Sequence, residues 1–361
     1  MFAKLIQSLR GKPAQEVVAA RFESARAVYL AGDIERAEAQ FVALVEEAPQ
    51  HAEAWLHAAI CAFKLGHLGP AYERVQAARK LAPADHEYLF QEAAIIAAMG
   101  RADEARAMCQ RVLEMAPNYA AANQLWATID FPSDNYLTFL PLLHIRLKPA
   151  TYIEIGVDEG RSICFAGAHT RAIGVDPAPK IKVPLGPQVK IMPMTSDDFF
   201  SRHDVRAELG GQTLQLGFID GMHLFEFAFR DFINMEKLAD PAGTILIHDC
   251  YPRDRRSAER ERHASFWSGD IWRLILILKK YRPDLTVHTL ALGPTGLGMV
   301  RGLDPASTVL GDKYDEIVAE FMALDYGVLD ADKAGMLNFY AGDWEDMLTL
   351  CGCGAAPIPA V

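Results

Sequence analysis

Two short runs hold most of the residues suited to acid–base or metal chemistry. Gly217-Phe-Ile-Asp-Gly-Met-His223 ends an apolar stretch in an acid and a histidine, and Ile247-His-Asp-Cys250 ends another in a histidine and an acid. Apolar runs of this length read as buried strands, so Asp220, His223, His248 and Asp249 fall at strand ends. If those strands are neighbours, the carboxylates repel unless a cation, a proton or a bound donor offsets them. Two carboxylates with a histidine hold Mg²⁺ or Mn²⁺, or supply a general base. His223 follows a turn and points out of the sheet, which suits a base. Capping of the next helices is the competing use of Asp220 and Asp249. His248, beside Ile247, reads as a packing residue.

A third run, Tyr152-Ile-Glu-Ile-Gly-Val-Asp-Glu-Gly-Arg-Ser162, reads as a strand, a glycine-bearing turn and a helix start. Gly156 and Gly160 permit unusual backbone angles and close approach of a ligand. Asp176 ends the following strand, where an acid can accept both hydroxyl hydrogens of a ribose. A dinucleotide site would share these features, but Asp158 stands where its second glycine belongs. A carboxylate there repels a pyrophosphate and tolerates a zwitterion.

The elements that must position these residues are strands at Tyr152–Gly156, Ala172–Asp176, Val189–Met194, Leu214–Asp220 and Thr244–Asp249. Helical segments such as Phe225–Leu238 separate them, which predicts a doubly wound, Rossmann-like α/β sheet with ligands at the carboxyl ends of its strands. Leu285–Leu292 and Gly298–Gly302 flank Gly293-Pro-Thr-Gly-Leu297 and predict a terminal antiparallel hairpin. From Tyr314 to Leu350 the pattern is helical. The mixed-charge run Tyr251–His263 predicts a solvated helical face, with Arg253, Arg255 or Arg256 gripping an anionic acceptor as the sharper alternative. Trp267 and Trp272 are expected in the core, with stacking on a sugar ring as the alternative.

The first third of the chain has a different grammar. Pro49, Pro83 and Pro117 recur every 34 residues, as do Gly32, Gly66 and Gly100, Ala37, Ala71 and Ala105, and Ala25, Ala59 and Ala93. Alanine columns let paired helices approach, glycine serves the turn between them, and proline marks the end of the second. This pattern resembles the tetratricopeptide repeat, with Trp55 and Phe41 at its large-residue columns. The resemblance implies an α-helical solenoid whose concave face binds a protein partner; homo-oligomer formation is the alternative use. The segments expected are 1–17 as an N-terminal segment, 18–130 as repeats, 136–305 as the sheet domain and 306–361 as a helical extension. Phe131-Pro-Ser-Asp-Asn135 marks the boundary.

The order Glu-Ile-Gly-x-x-x-Gly-x-Ser, Gly-Val-Asp, Ile-Asp-Gly-x-His and His-Asp resembles the class I S-adenosylmethionine-dependent methyltransferases. More narrowly, it is similar to the metal-assisted sugar and macrolide-sugar O-methyltransferases. By that resemblance Glu154, Gly156 and Gly160 line the methionine end of the cofactor, and Asp176 holds its ribose. Thr195-Ser-Asp-Asp198 faces the adenine through Ser196 or Asp197. Asp220 and Asp249 are implied metal ligands for Mg²⁺ or Mn²⁺, and His223 deprotonates the acceptor hydroxyl. Related catechol-type enzymes carry Asn after the second acid, where this chain has Cys250, a poor ligand for a hard cation.

Composition narrows the class. With 36 Lys+Arg against 47 Asp+Glu the chain carries a formal charge of −11, which argues against a nucleic-acid partner. No apolar run is long enough for a membrane span, and Met1–Arg10 lacks the core of a signal peptide. Six scattered cysteines without zinc spacing predict a reducing cytoplasm, and Cys351-Gly-Cys353 reads as a frayed end. The reading is a cytoplasmic methyltransferase acting on a sugar-type hydroxyl. A repeat scaffold with a degenerate cofactor domain, a protein methyltransferase and an NAD-dependent sugar-modifying enzyme are its rivals.

Overall fold

The computed structural model describes residues 14–131 and 135–354. Residues 1–13, residues 132–134 of the expected boundary and residues 355–361 lie outside the described residues. The chain divides into two compact units, Met1–Ile129 and Asp130–Val361.

Among the described residues, seven helices build the first unit: α1 (Ala14–Leu30), α2 (Ile34–Glu47), α3 (Ala52–Lys64), α4 (Leu68–Leu81), α5 (His86–Ala98), α6 (Ala102–Met115) and α7 (Ala120–Asp130). The 34-residue columns have direct structural meaning. Ala25, Ala59, Ala93, Ala37, Ala71 and Ala105 are at most 1% exposed, so methyl-sized side chains set the distance between helices. Gly32, Gly66 and Gly100 turn the chain with φ of 86°, 79° and 79°, a region that any side chain would strain. Phe41, Val75 and Cys109 occupy one buried column with three different volumes.

The second unit opens with α8 (Tyr136–Leu147) and is organised by one eight-stranded sheet. Its strands are β1 (Thr151–Ile155), β2 (Arg171–Val175), β3 (Val189–Met192), β4 (Leu214–Ile219), β5 (Ala239–Ile247), β6 (Thr286–Leu290), β7 (Leu297–Arg301) and β8 (Phe339–Tyr340). The order is β3-β2-β1-β4-β5-β7-β6-β8. The first five strands are parallel, β7 pairs antiparallel with both β5 and β6, and β8 adds in parallel to β6. Helices α9 (Ser196–Arg202), α10 (Val205–Glu208), α11 (Phe225–Glu236) and α12 (Trp272–Tyr281) intervene. Alternating side chains feed an apolar core on each face: Ile153, Ile155 and Ile219 join Phe225, Phe229 and Trp272, while Tyr152, Leu216 and Phe218 join Phe139 and Leu140.

Three stretches depart from the sequence expectation. Only a single 3₁₀ turn, Ile163–Phe165, follows the glycine turn. Residues 251–263 form turns instead of a helix, because their charges pair outward: Arg255 with Asp325, and Arg260 with Glu226 and Asp270. The segment after 305 is not a helical appendage. Beyond α13 (Val309–Asp312), α14 (Tyr314–Met322) and α15 (Lys333–Met336) it supplies β8 and then α16 (Trp344–Leu350). Met347, Leu348, Cys351 and Cys353 are buried in the same core as Tyr152 and Phe218, so the Cys-Gly-Cys end is packed and not frayed. No helix among the described residues is long and apolar enough to cross a membrane.

Candidate active site

Sheet register sets the site. Val175, Ile155, Ile219 and Ile247 are aligned across β2, β1, β4 and β5. The next residue on each strand is Asp176, Gly156, Asp220 or His248. The ladder runs on through three of them: Gly156 N–H donates to Val175 O at 2.9 Å, Asp220 N–H to Ile155 O at 2.8 Å and His248 N–H to Ile219 O at 2.9 Å. The chemistry-bearing residues therefore stand in one row where the strands stop, at the edge of a cleft of about 800 Å³.

At one end, Gly156 has φ +86°, and a Cβ there would overlap the Asp220 carbonyl. Asp176 Oδ2 accepts from Val157 N–H at 3.0 Å and Asp158 N–H at 2.9 Å, and Oδ1 from Ala178 N–H at 2.7 Å. Asp176 thus shapes the turn while keeping acceptor capacity towards the cleft that it lines. Asp158 also lines the cleft and adopts φ +43°, outside the range favoured by side-chain-bearing residues. Glu154 lies beneath the turn, fully buried, accepting from the Tyr152 and Ser162 hydroxyls at 2.6 Å each. Burial pushes its carboxyl up to about 8 despite those two donors. Gly160 faces Ile181 and Val183, and neither Glu154 nor Gly160 is among the cleft-lining residues.

In the middle, Asp220, His223, His248 and Asp249 form one cluster. His223 Nδ1 is 2.9 Å from Asp249 Oδ2, and its Nε2 is 3.9 Å from Asp220 Oδ1. His248 Nδ1 lies 3.1 Å from Asp220 Oδ1 and 3.3 Å from Asp249 Oδ2. Asp249 adopts φ +63°, which folds the chain back sharply after β5 and returns its carboxylate to the cluster. Burial alone would lower both imidazoles, but the two carboxylates outweigh it and raise each, His248 the more strongly. Burial would raise the Asp249 carboxyl, and the paired imidazoles instead hold it well below the usual carboxylate range. Asp220, His223 and Asp249 offer ligand atoms all within 4.8 Å of one another. Cys250 is turned away, its thiol donating to Ile247 O at 3.3 Å.

Two neighbours, Tyr136 and Asp231, carry no site expectation in the sequence, and Trp267 joins the site although the core is its first expectation. Tyr136, at the start of α8, lines the cleft and packs its ring 4.3 Å from that of His248. Trp267 is half-buried and stacks on His223, ring centres 5.1 Å apart and planes within 11°, whereas Trp272 is buried in the core. Asp231, only 4% exposed, also lines the cleft. Its signal was readable: it stands three residues after Ala228 and four before Met235, on the apolar face of α11. At this end Thr195 caps α9, Ser196 lines the cleft, and Asp197 is held by both arms of Arg230 at 2.8 and 2.9 Å. Of the three arginines after β5, Arg253 pairs with Asp254 and Arg255 with Asp325, while Arg256 is exposed.

Residues 153–250, from β1 to just past β5, match the family model of a methyltransferase domain. This chain carries a methyltransferase domain. The match spans the glycine turn, Asp176, Asp220, His223 and Asp249, and a methyltransferase domain implies use of S-adenosylmethionine. Residues 18–91 match a tetratricopeptide repeat model. No curated protein matches the chain. Among solved structures, the crystal structure of MamA is 17% identical and covers 35% of this chain and 72% of its own, with a TM-score of 0.32. The first tetratricopeptide domain of Spaghetti (RPAP3), bound to an HSP90 peptide, is 20% identical over 31% of this chain and 89% of its own, with a TM-score of 0.30. The second such domain of human RPAP3, in complex with an HSP70 peptide, is 16% identical over 30% and 91%, with a TM-score of 0.29.

Proposed function

We propose that this methyltransferase domain transfers the methyl group to a hydroxyl of a sugar or glycosylated metabolite, with His223 as the base. The observation that carries the reading is the 2.9 Å contact between His223, on the cleft wall, and the buried Asp249. An alcohol is a weak nucleophile at neutral pH, so its proton must leave as it attacks. With Nδ1 held against Asp249, the imidazole has its other nitrogen for that proton, and the carboxylate stabilises the imidazolium that forms. Trp267 fixes the plane of the ring. His223 must be neutral to act, so the rate should climb as pH rises through its raised pKa.

The residues fit the methyl donor. Gly156, with no Cβ, lets the turn lie against the Asp220 carbonyl at the cleft wall, Asp176 retains acceptor capacity for ribose hydroxyls, and Ser196 faces the adenine end. Bound there, S-adenosylmethionine supplies a methyl group on a positively charged sulfur. Tyr136 and Met222, the latter 59% exposed, give the cleft mouth an apolar surface suited to the flat face of a sugar ring.

A divalent cation is the second reading, because Asp220, His223 and Asp249 converge within 4.8 Å. Mg²⁺ or Mn²⁺ there would lower the pKa of the acceptor hydroxyl. Loss of turnover in chelator with recovery on adding Mg²⁺ or Mn²⁺ is what that reading predicts, and full turnover in excess chelator contradicts it. The repeats are assigned a protein partner, and six scattered cysteines without paired spacing support a cytoplasmic, reducing setting.

The reading is tested with His223→Ala. The rate on a sugar-type acceptor should fall roughly 10²- to 10⁴-fold, while S-adenosylhomocysteine affinity changes less than about threefold. An unchanged rate removes His223 as the base.

A further inference from the structure

Asp231 is shared by two spaces. It lines the main cleft, and it also lines a separate cavity of about 10 Å³ behind the strand tips, whose other walls include Asp220, His223, His248 and Asp249. That volume is close to what one water molecule needs, and the walls are polar enough to hold one. The Oδ1 atom of Asp231 is buried without a hydrogen-bond partner, whereas its carboxyl is tied to Ser196 on the cleft side. A buried acceptor left unpaired is costly, so an atom of this kind calls for a donor that comes and goes.

We propose that Asp231 is the proton store of the transfer reaction: ionised while the sulfonium donor is bound, and protonated once the neutral thioether remains. The inference rests on the methyl-donor reading. The balance is direct. During transfer the acceptor O–H bond and the sulfur–methyl bond break, an O–methyl bond forms, and the sulfur keeps the electron pair and loses its charge. One proton is left over. Asp231 takes it across the small cavity, so a positive charge lost from the cleft is replaced by a proton on its wall. The carboxyl is suited to this exchange, because burial raises it to about 7. The charged groups facing it are Asp197, which raises it further, and Arg230, which opposes that; Ser196 donates to it. Across the small cavity it faces Asp220, His223, His248 and Asp249.

Calorimetry on the full chain at pH 7 tests this without any acceptor. Titrations in two buffers of different ionisation enthalpy give the protons exchanged on binding. S-adenosylmethionine should release about half a proton and S-adenosylhomocysteine should take up about half, a difference of about one proton, since a group titrating near 7 is about half protonated before binding. In Asp231→Asn, which keeps the shape and cannot ionise, that difference should vanish. The same proton count for both ligands in the natural protein would overturn the proposal even if the variant failed to fold. So would a difference that persists in Asp231→Asn. If neither ligand bound, the methyl-donor reading would fall and this inference with it; binding of both with equal counts would sink the proton store alone.

Discussion

A carboxyl sealed under a backbone turn has no water to stabilise its charge, and Glu154 keeps its proton up to about pH 8 for that reason. An acid whose folded pKa exceeds its ordinary value of 4.5 favours the fold fully below that value. The advantage is lost as pH rises through the folded pKa. Glu154→Gln keeps the hydrogen-bonding shape and removes the titration. Measured by denaturation, the variant should therefore gain on the natural protein by a few kcal/mol between pH 5 and pH 8. A difference that does not change with pH would show that Glu154 is ionised in the fold. Residue identities at this scale were legible because acids and histidines ending apolar runs stand out. Their partners were not. Trp267 reaches His223 from 44 residues away, and that pairing depends on turns after β5 that no periodicity marks.

At the scale of elements, Gly156 and Gly32 separate two effects, for both have φ +86°. At Gly32 a Cβ would meet nothing within 4 Å, so Gly32→Ala should cost only the conformational strain, about 1 kcal/mol. At Gly156 the same methyl would collide with the Asp220 carbonyl and lie 2.7 Å from Gly221 Cα. Gly156→Ala should cost a further 1–3 kcal/mol and displace Asp220, with S-adenosylhomocysteine binding lost. Equal destabilisation of the two variants by chemical denaturation would show that the turn is not crowded. The parallel strands were readable as apolar runs, yet each stops one residue or more before its predicted end, and the residues just past β1, β2, β4 and β5 build the site. The start of β5 was hidden by Pro241 and Gly243, and β8, two residues long, has no pattern to detect.

At the scale of the whole molecule, the two units rest on different information. The repeats announce themselves because their buried alanines and turn glycines recur every 34 residues. The last fifty residues of the sheet unit do not, since their helices are short and their apolar residues pack against strands far away in sequence. Leu348 makes the point testable: it is fully buried in the core shared with Tyr152 and Phe218. Leu348→Ala should destabilise the sheet unit by about 2–5 kcal/mol. A loss under about 0.5 kcal/mol would mean that the C-terminal segment contributes little to the core.

The central claim is that the row of residues past β2, β1, β4 and β5 binds a methyl donor. Calorimetric titration of the full chain with S-adenosylmethionine addresses it most directly, run beside Asp176→Ala. One molecule should bind per chain, with affinity falling at least about tenfold in the variant, which loses three backbone hydrogen bonds along with the ribose acceptor. No heat of binding, or the same affinity in both proteins, would contradict the account.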